Sequence, residues 1–172
     1  MDKPRDEVWN RLVAGLGEKF FVVNNLDKAS GFINVSYTGD PEEYVDGGEL
    51  YFKVSNLAGT REYRFPASRK FAEYETSQNG MLWFVRRNLN LDGRINIVVA
   101  EVSESKTRVT VNTRYVLTLS VNSQEVTQRS VLPHAETIAF NSGDQGSSTA
   151  GTQFRPTGRL EAAILELTNV SK

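Results

Sequence analysis

From Arg94 to Val121 the chain alternates apolar and polar side chains in two runs, and no other stretch constrains its architecture as strongly. Ile95, Ile97 and Val99 recur with period two, and Ser103-Glu104-Ser105-Lys106 supplies a turn. Val109, Val111, Tyr115, Leu117, Leu119 and Val121 then continue the apolar row. Successive side chains on a strand point to opposite faces, so the pattern predicts a long antiparallel hairpin with one buried side. The other side carries Arg108, Thr110, Asn112, Arg114, Thr118 and Ser120, a hydroxyl-rich and basic surface. Slipping the second strand by one residue would expose its whole apolar row, so the register is strongly specified.

The rest of the pattern supplies partners for that hairpin. Val8, Trp9, Leu12, Val13 and Leu16 lie at helical spacing, with Asp2 a candidate N-cap and Gly17 a natural stop. Leu160, Ala163, Ile164 and Leu167 form a second helical stripe, with Thr157 a candidate N-cap. Phe20 to Val23 reads as a short strand and Asn24 to Lys28 as a turn. Gly31 to Tyr37 follows as a strand, with Ile33, Val35 and Tyr37 inward. Further strands are expected at Leu50 to Val54, near Tyr63 to Phe65, at Phe71 to Glu75 and near His134 to Asn141. A flexible loop is expected from Ser142 to Gly151. These elements predict one α+β domain over 1–172, an antiparallel sheet of about six to eight strands with the terminal helices packed on one face.

Residues with catalytic chemistry are scarce. The chain has no cysteine and a single histidine, His134, so thiolate chemistry and multi-histidine zinc sites are excluded. No nucleophile elbow, phosphate-binding loop or dinucleotide fingerprint occurs. Asp40, Glu42, Glu43, Asp46 and Glu49 crowd one connection, but without the register that wraps calcium, and a solvated loop is expected there. Basic residues are scattered; Arg86-Arg87 with Arg94 is the nearest approach to a cationic tract, which argues against nucleic acid. No apolar run approaches the length of a spanning helix, and Met1 to Arg5 opens on polar residues rather than an apolar leader. A soluble, non-enzymatic chain without cofactor or metal is the expectation.

The segments Glu7-Val8-Trp9-Asn10-Arg11-Leu12, Phe21-Val22-Val23, Asp27-Lys28-Ala29-Ser30-Gly31-Phe32-Ile33 and Tyr37 form a helix, short strand, turn and second strand. In that order they resemble the helix-grip domains of the lipoprotein C subunit of the outer-membrane β-barrel assembly machinery. The resemblance implies a sheet gripping a helix, secretion as a lipoprotein to the periplasm with an outer-membrane anchor, and binding of envelope proteins without catalysis. The lipid-bearing cysteine of that family would have to precede Met1, and one grip domain is read where that subunit carries two.

Met81-Leu82-Trp83-Phe84-Val85 is apolar and is followed by Arg86-Arg87. Where such a run is not buried it forms a contact surface, so Met81, Leu82, Trp83, Arg86 and Arg87 are the candidate contact residues. The alternative reading is a lipid or small-molecule carrier with a cavity between sheet and helix, lined by Trp83, Phe84, Tyr115 and Phe140.

Overall fold

A computed structural model describes residues 1–19 and 21–169. Helix α1 (Arg5–Glu18) leads into strands β1 (Val22–Asp27) and β2 (Phe32–Gly39) and a one-turn helix α2 (Pro41–Tyr44). Strands β3 (Val45–Asp46), β4 (Glu49–Asn56), β5 (Gly59–Pro66) and β6 (Phe71–Gln78) precede the two longest, β7 (Met81–Ser103) and β8 (Lys106–Glu125). Strands β9 (Val131–Asn141), β10 (Gly146–Ser147) and β11 (Gln153–Pro156) and helix α3 (Arg159–Glu166) complete the chain. The expected α+β class is what the chain adopts, and its main sheet has six strands.

Strand β7 organises that sheet. At 23 residues and ~3.3 Å per residue it runs roughly 75 Å along its path, well beyond an ordinary strand. One edge pairs throughout with β8, from Trp83 opposite Glu125 to Ser103 opposite Lys106. The other edge is shared: β6 takes residues 81–88 and β2 takes 91–98. Strand β1 extends the sheet beyond β2, and β9 extends it beyond β8. All these pairings are antiparallel.

The alternation explains the length. Trp83, Val85, Arg87, Leu89, Leu91, Ile95, Ile97 and Val99 all point to one side and are buried. From β8, Tyr115, Leu117 and Leu119 extend the same buried surface, with Ile138 and Phe140 of β9 beside them. Helices α1 and α3 cover it, bringing Val8, Leu12, Leu16, Leu160 and Ile164, each fully buried. Gly93 faces Leu160, and a β-carbon there would lie 3.3 Å from a Leu160 methyl. The missing side chain lets α3 settle close to the sheet between Tyr37 and Tyr115, the cross-strand neighbours of Gly93.

Beyond the helices, the β4–β5 hairpin takes over as cover. Phe65 joins Ala72 and Tyr74 of β6 and Trp83 and Val85 of β7 in a second cluster. Phe52 stacks on Tyr74 at 4.0 Å between ring centres. Arg5 fastens the opposite end, donating to the carbonyls of Val99, Lys28 and Ala29. Gly31 lies in that turn at φ +73°, where a β-carbon would sit 2.2 Å from the Val99 carbonyl oxygen, so only glycine fits.

Several sequence expectations change. Helix α1 runs past Gly17 to Glu18, and the loop expected from Ser142 to Gly151 contains the short strand β10. The turn expected at Asn24 to Lys28 is mostly strand, because β1 is an edge whose side chains are all exposed and leave no apolar period to read. The N-cap of α1 is Pro4, without a side-chain bond, rather than Asp2. The N-cap of α3 is Gly158, although the Thr157 hydroxyl still accepts from the Arg159 amide at 3.3 Å. The hairpin read from Arg94 to Val121 reaches outward to Met81 and Glu125.

Leu117→Ala should therefore lower the free energy of unfolding by about 2–5 kcal/mol, from lost burial plus a cavity. Thr118→Ala, one residue along and on the opposite face, should change it by less than about 0.5 kcal/mol. Urea titrations of both variants check the division between faces.

Candidate interaction surface

Among the described residues, no layer covers the side of the sheet away from the helices. Cross-strand register sets its polar side chains in rows, the first made of Asn34, Asn96 and Asn112 from β2, β7 and β8. The next row is Ser36, Arg94, Arg114 and Asn141, and beyond it stand Thr38, Asp92, Val116 and Ala139. The asparagines bond across strands: Asn24 Nδ2 donates to Asn34 Oδ1 at 3.0 Å, and Asn34 Nδ2 donates to Asn96 Oδ1 at 2.7 Å. Toward the Met81 end the same face turns apolar, through Leu82 and Phe84, half-buried, and Val126 and Val131, exposed.

The five candidate contact residues divide by exposure. Met81 is exposed and Leu82 half-buried at the tip of β7, beside the Asn79-Gly80 turn. Arg86 is exposed, pairs with Glu73 at 2.9 Å and lies over the Phe84 ring. Trp83 and Arg87 lie on the covered side, 9% and 4% exposed, and so form no part of an outer surface. The reason is geometric: odd positions of β7 from Trp83 to Val99 face the core, while Met81 shares their parity but lies at the tip, beyond the cover. Arg87 donates to the carbonyls of Ala67 and Arg69. Burial draws its guanidinium pKa down, and those carbonyls satisfy a charge that has no carboxylate partner.

Sequence reasoning missed the apolar residues that join Met81 and Leu82. Val126 donates its amide to the Leu82 carbonyl at 3.0 Å. Val131 pairs with Gln124 and Leu132 with Ser123, so all five sit at one end of the sheet. Met81, Val126, Val131 and Leu132 are 38–58% exposed. Their signal in the sequence was the Val-Leu-Pro run at 131–133, which periodicity alone does not separate from a buried strand.

The remaining candidates have local tasks. Glu161 of α3 accepts from the Tyr115 hydroxyl at 2.9 Å and the Ser142 hydroxyl at 2.6 Å, which ties the helix to β8 and to the chain leaving β9. Burial pushes the Glu161 carboxyl up, but these hydroxyls and a backbone amide outweigh it and hold it below its usual range. Burial raises the Tyr115 phenol, and the adjacent Glu161 charge raises it further. In the acidic connection, Asp40 caps α2, Asp46 binds Arg155 at 3.0 Å, Glu42 faces Arg69 and Glu49 pairs with Arg64. Among the described residues no three acidic or histidine side chains converge as a metal site. His134 lies 3.6 Å from Glu136, which also accepts from the Thr149 hydroxyl. That order gives the hydroxyl proton to the carboxylate rather than to the imidazole, so the trio lacks the geometry of an activated nucleophile.

The four residues expected to line a carrier cavity do not share one. Tyr115 and Phe140 stack at 5.4 Å in the main core, Trp83 belongs to the second cluster and Phe84 is on the uncovered face. Among the described residues no helix is long and apolar enough to cross a membrane. No family model, curated protein or solved structure matches the chain.

Two measurements follow from these placements. Arg87→Ala leaves two carbonyls without their donor and a void between the clusters, and should cost more than about 2 kcal/mol. Arg86→Ala, which loses only an exposed pair, should cost less than about 1 kcal/mol. For Glu161 the folded-state pKa is depressed, so its stabilisation is complete above the ordinary glutamate value of about 4.3 and fades as pH falls through the lower folded value. Glu161→Gln should lower stability at neutral pH and flatten its decline below about pH 4.3, as read from denaturant midpoints across pH.

Proposed function

We propose that the chain is a non-catalytic protein-interaction domain of the bacterial cell envelope, held in the periplasm as the folded part of an outer-membrane lipoprotein. The observation that carries the interaction reading is the apolar end of the sheet. Met81, Leu82, Val126, Val131 and Leu132 gather there from β7, β9 and the connection between β8 and β9. By strand parity Leu82 and Val131 fall on the uncovered side and Met81 and Leu132 on the other, so exposed apolar groups flank both sides of this end of the sheet. Apolar residues concentrated at one end favour a protein contact that removes them from water. The β6–β7 and β8–β9 turns frame the patch, and hairpin tips readily meet a partner without disturbing the core. Support for the envelope placement comes from the likeness of Glu7 to Tyr37 to helix-grip domains. A filled core between sheet and helices supports binding on the surface rather than carriage of a ligand inside.

Site-specific photocrosslinking tests the reading. A photoreactive residue at Val131 or Leu132, in cells of the source organism, should give a discrete adduct with an envelope protein. The same residue at Glu104, at the far tip of the β7–β8 hairpin, should give none. Leu132→Asp should abolish the Val131 adduct while leaving the thermal midpoint within a few degrees of the parent. Equal adducts from both ends, or adducts with cytosolic proteins alone, would overturn the proposal.

A further inference from the structure

We propose that Arg94 and Arg114 form a binding site for a phosphate monoester on the uncovered face of the sheet. The two arginines are directly opposed on β7 and β8. Like charges in directly opposed positions destabilise a sheet, so the pair works against the fold that presents it. Neither arginine takes part in any of the ion pairs formed by the described residues. Asp92, two residues from Arg94, accepts from the Thr38 hydroxyl at 2.7 Å, and Asp144, which lines a depression with Arg114, accepts from Asn141 Nδ2 at 3.3 Å. Arg114 makes one long contact, 3.5 Å to Asn141 Oδ1.

The surroundings supply neutral donors. Arg94 and Arg114 open onto a depression of about 480 Å³ that Asn34, Asn96, Asn112 and Asn141 also line. The amide chain from Asn24 through Asn34 runs in one direction and ends on Asn96 Oδ1. Asn96 Nδ2 is therefore its terminal donor, and has no acceptor among the described residues. Bonds in such a chain polarise one another and strengthen that last donor. Directly opposed residues of an antiparallel pair stand about 4.5–5.5 Å apart at their α-carbons, close enough for both guanidinium forks to converge on one group. A guanidinium presents paired donors matched to oxyanions, and two of them carry the charge that neutralises a phosphate monoester of about −1.5 to −2. A lone carboxylate would leave one arginine unneutralised. The flanking carboxamides, each both donor and acceptor, suit the hydroxyls of a polyol attached to the phosphate.

This site stands apart from the apolar end and does not depend on it. The test is a titration of isotope-labelled protein with inorganic phosphate, glucose 6-phosphate and glucose, followed at the arginine side-chain and asparagine amide signals. Saturable shifts at Arg94, Asn96, Asn112 and Arg114 with the two phosphates, and none with glucose, are expected. Arg94→Gln or Arg114→Gln should weaken binding about tenfold or more, and Arg108→Gln, on the same face, should leave it unchanged. Both charge-removing variants should melt at a higher temperature than the parent, because the repulsion is gone. Sedimentation with phosphatidic acid vesicles, compared with neutral vesicles, separates a lipid headgroup from a soluble ester. Pelleting that requires both arginines assigns the phosphate to a lipid, and saturation by glucose 6-phosphate assigns it to a soluble ligand. Shifts that chloride reproduces at equal ionic strength, affinity that survives both substitutions, or a lowered melting temperature in both variants would overturn the site.

Discussion

The rest of the structure depends on the ladder between β7 and β8. Because side chains alternate along a strand, nineteen paired positions held in one register, from Trp83 to Glu101, create one continuous apolar surface. Every other layer is a response to that surface. Helices α1 and α3 cover its centre, and the β4–β5 hairpin covers the end the helices do not reach. Strands β2 and β6 lie end to end along one edge of β7, so each half of the strand gains a neighbour without a second long strand. Antiparallel sheets tolerate water on one face, which leaves the other side free of packing demands.

Arg87 marks where the two covers meet. It occupies an inward position of β7 between Val85 of the second cluster and Leu89 of the main one. A hydrophobic residue there would pack, but would leave the carbonyls of Ala67 and Arg69 without their donor. The guanidinium satisfies both and thereby fixes the chain between β5 and β6, on which the hairpin's position depends. Val121 and Leu50 pack against both clusters, so the covers share neighbours on either side of the buried charge. The bridge resists separation because breaking it strands polar groups on both sides.

What could be read from the sequence follows from how regular each period is. The Arg94 to Val121 hairpin was legible because inward apolar and outward polar residues alternate along most of it, with Thr113 inward and Val98 and Val116 outward as the exceptions. Its continuation to Met81 was not, because Leu82 and Phe84 are apolar on the outward side and Arg87 is charged on the inward side. Both departures blur a period of two. The same blur made Met81 to Arg87 look like one contact surface, when parity sends Trp83 and Arg87 to the core. Both terminal helices were legible from their stripes, whereas edge strand β1 buries nothing, so only its start at Val22-Val23 read as strand and Asn24 to Asp27 read as turn. The basic character of the outer side of β8 was readable, but its opposition to Arg94 was not. A bulge between Glu101 and Ser103 sets the register, and nothing in the composition of that turn announces one.

The two faces of the sheet therefore obey different rules. On the covered face each residue is judged by volume, and Gly93 is retained where even a methyl group would press against Leu160. On the uncovered face volume is free, and the cost of a side chain is electrostatic. Thr38 and Asp92 meet that cost with a hydrogen bond, and Asn24, Asn34 and Asn96 meet it by passing donors to acceptors across β1, β2 and β7. Arg94 and Arg114 do not meet it within the chain, although Thr and Asn were acceptable at neighbouring positions of both strands. A like-charged pair maintained beside such alternatives is reasonable if the balancing charge arrives with a ligand. The stability lost to the empty pair then becomes part of the differential that favours the bound state, as for any group more favourable when paired than alone.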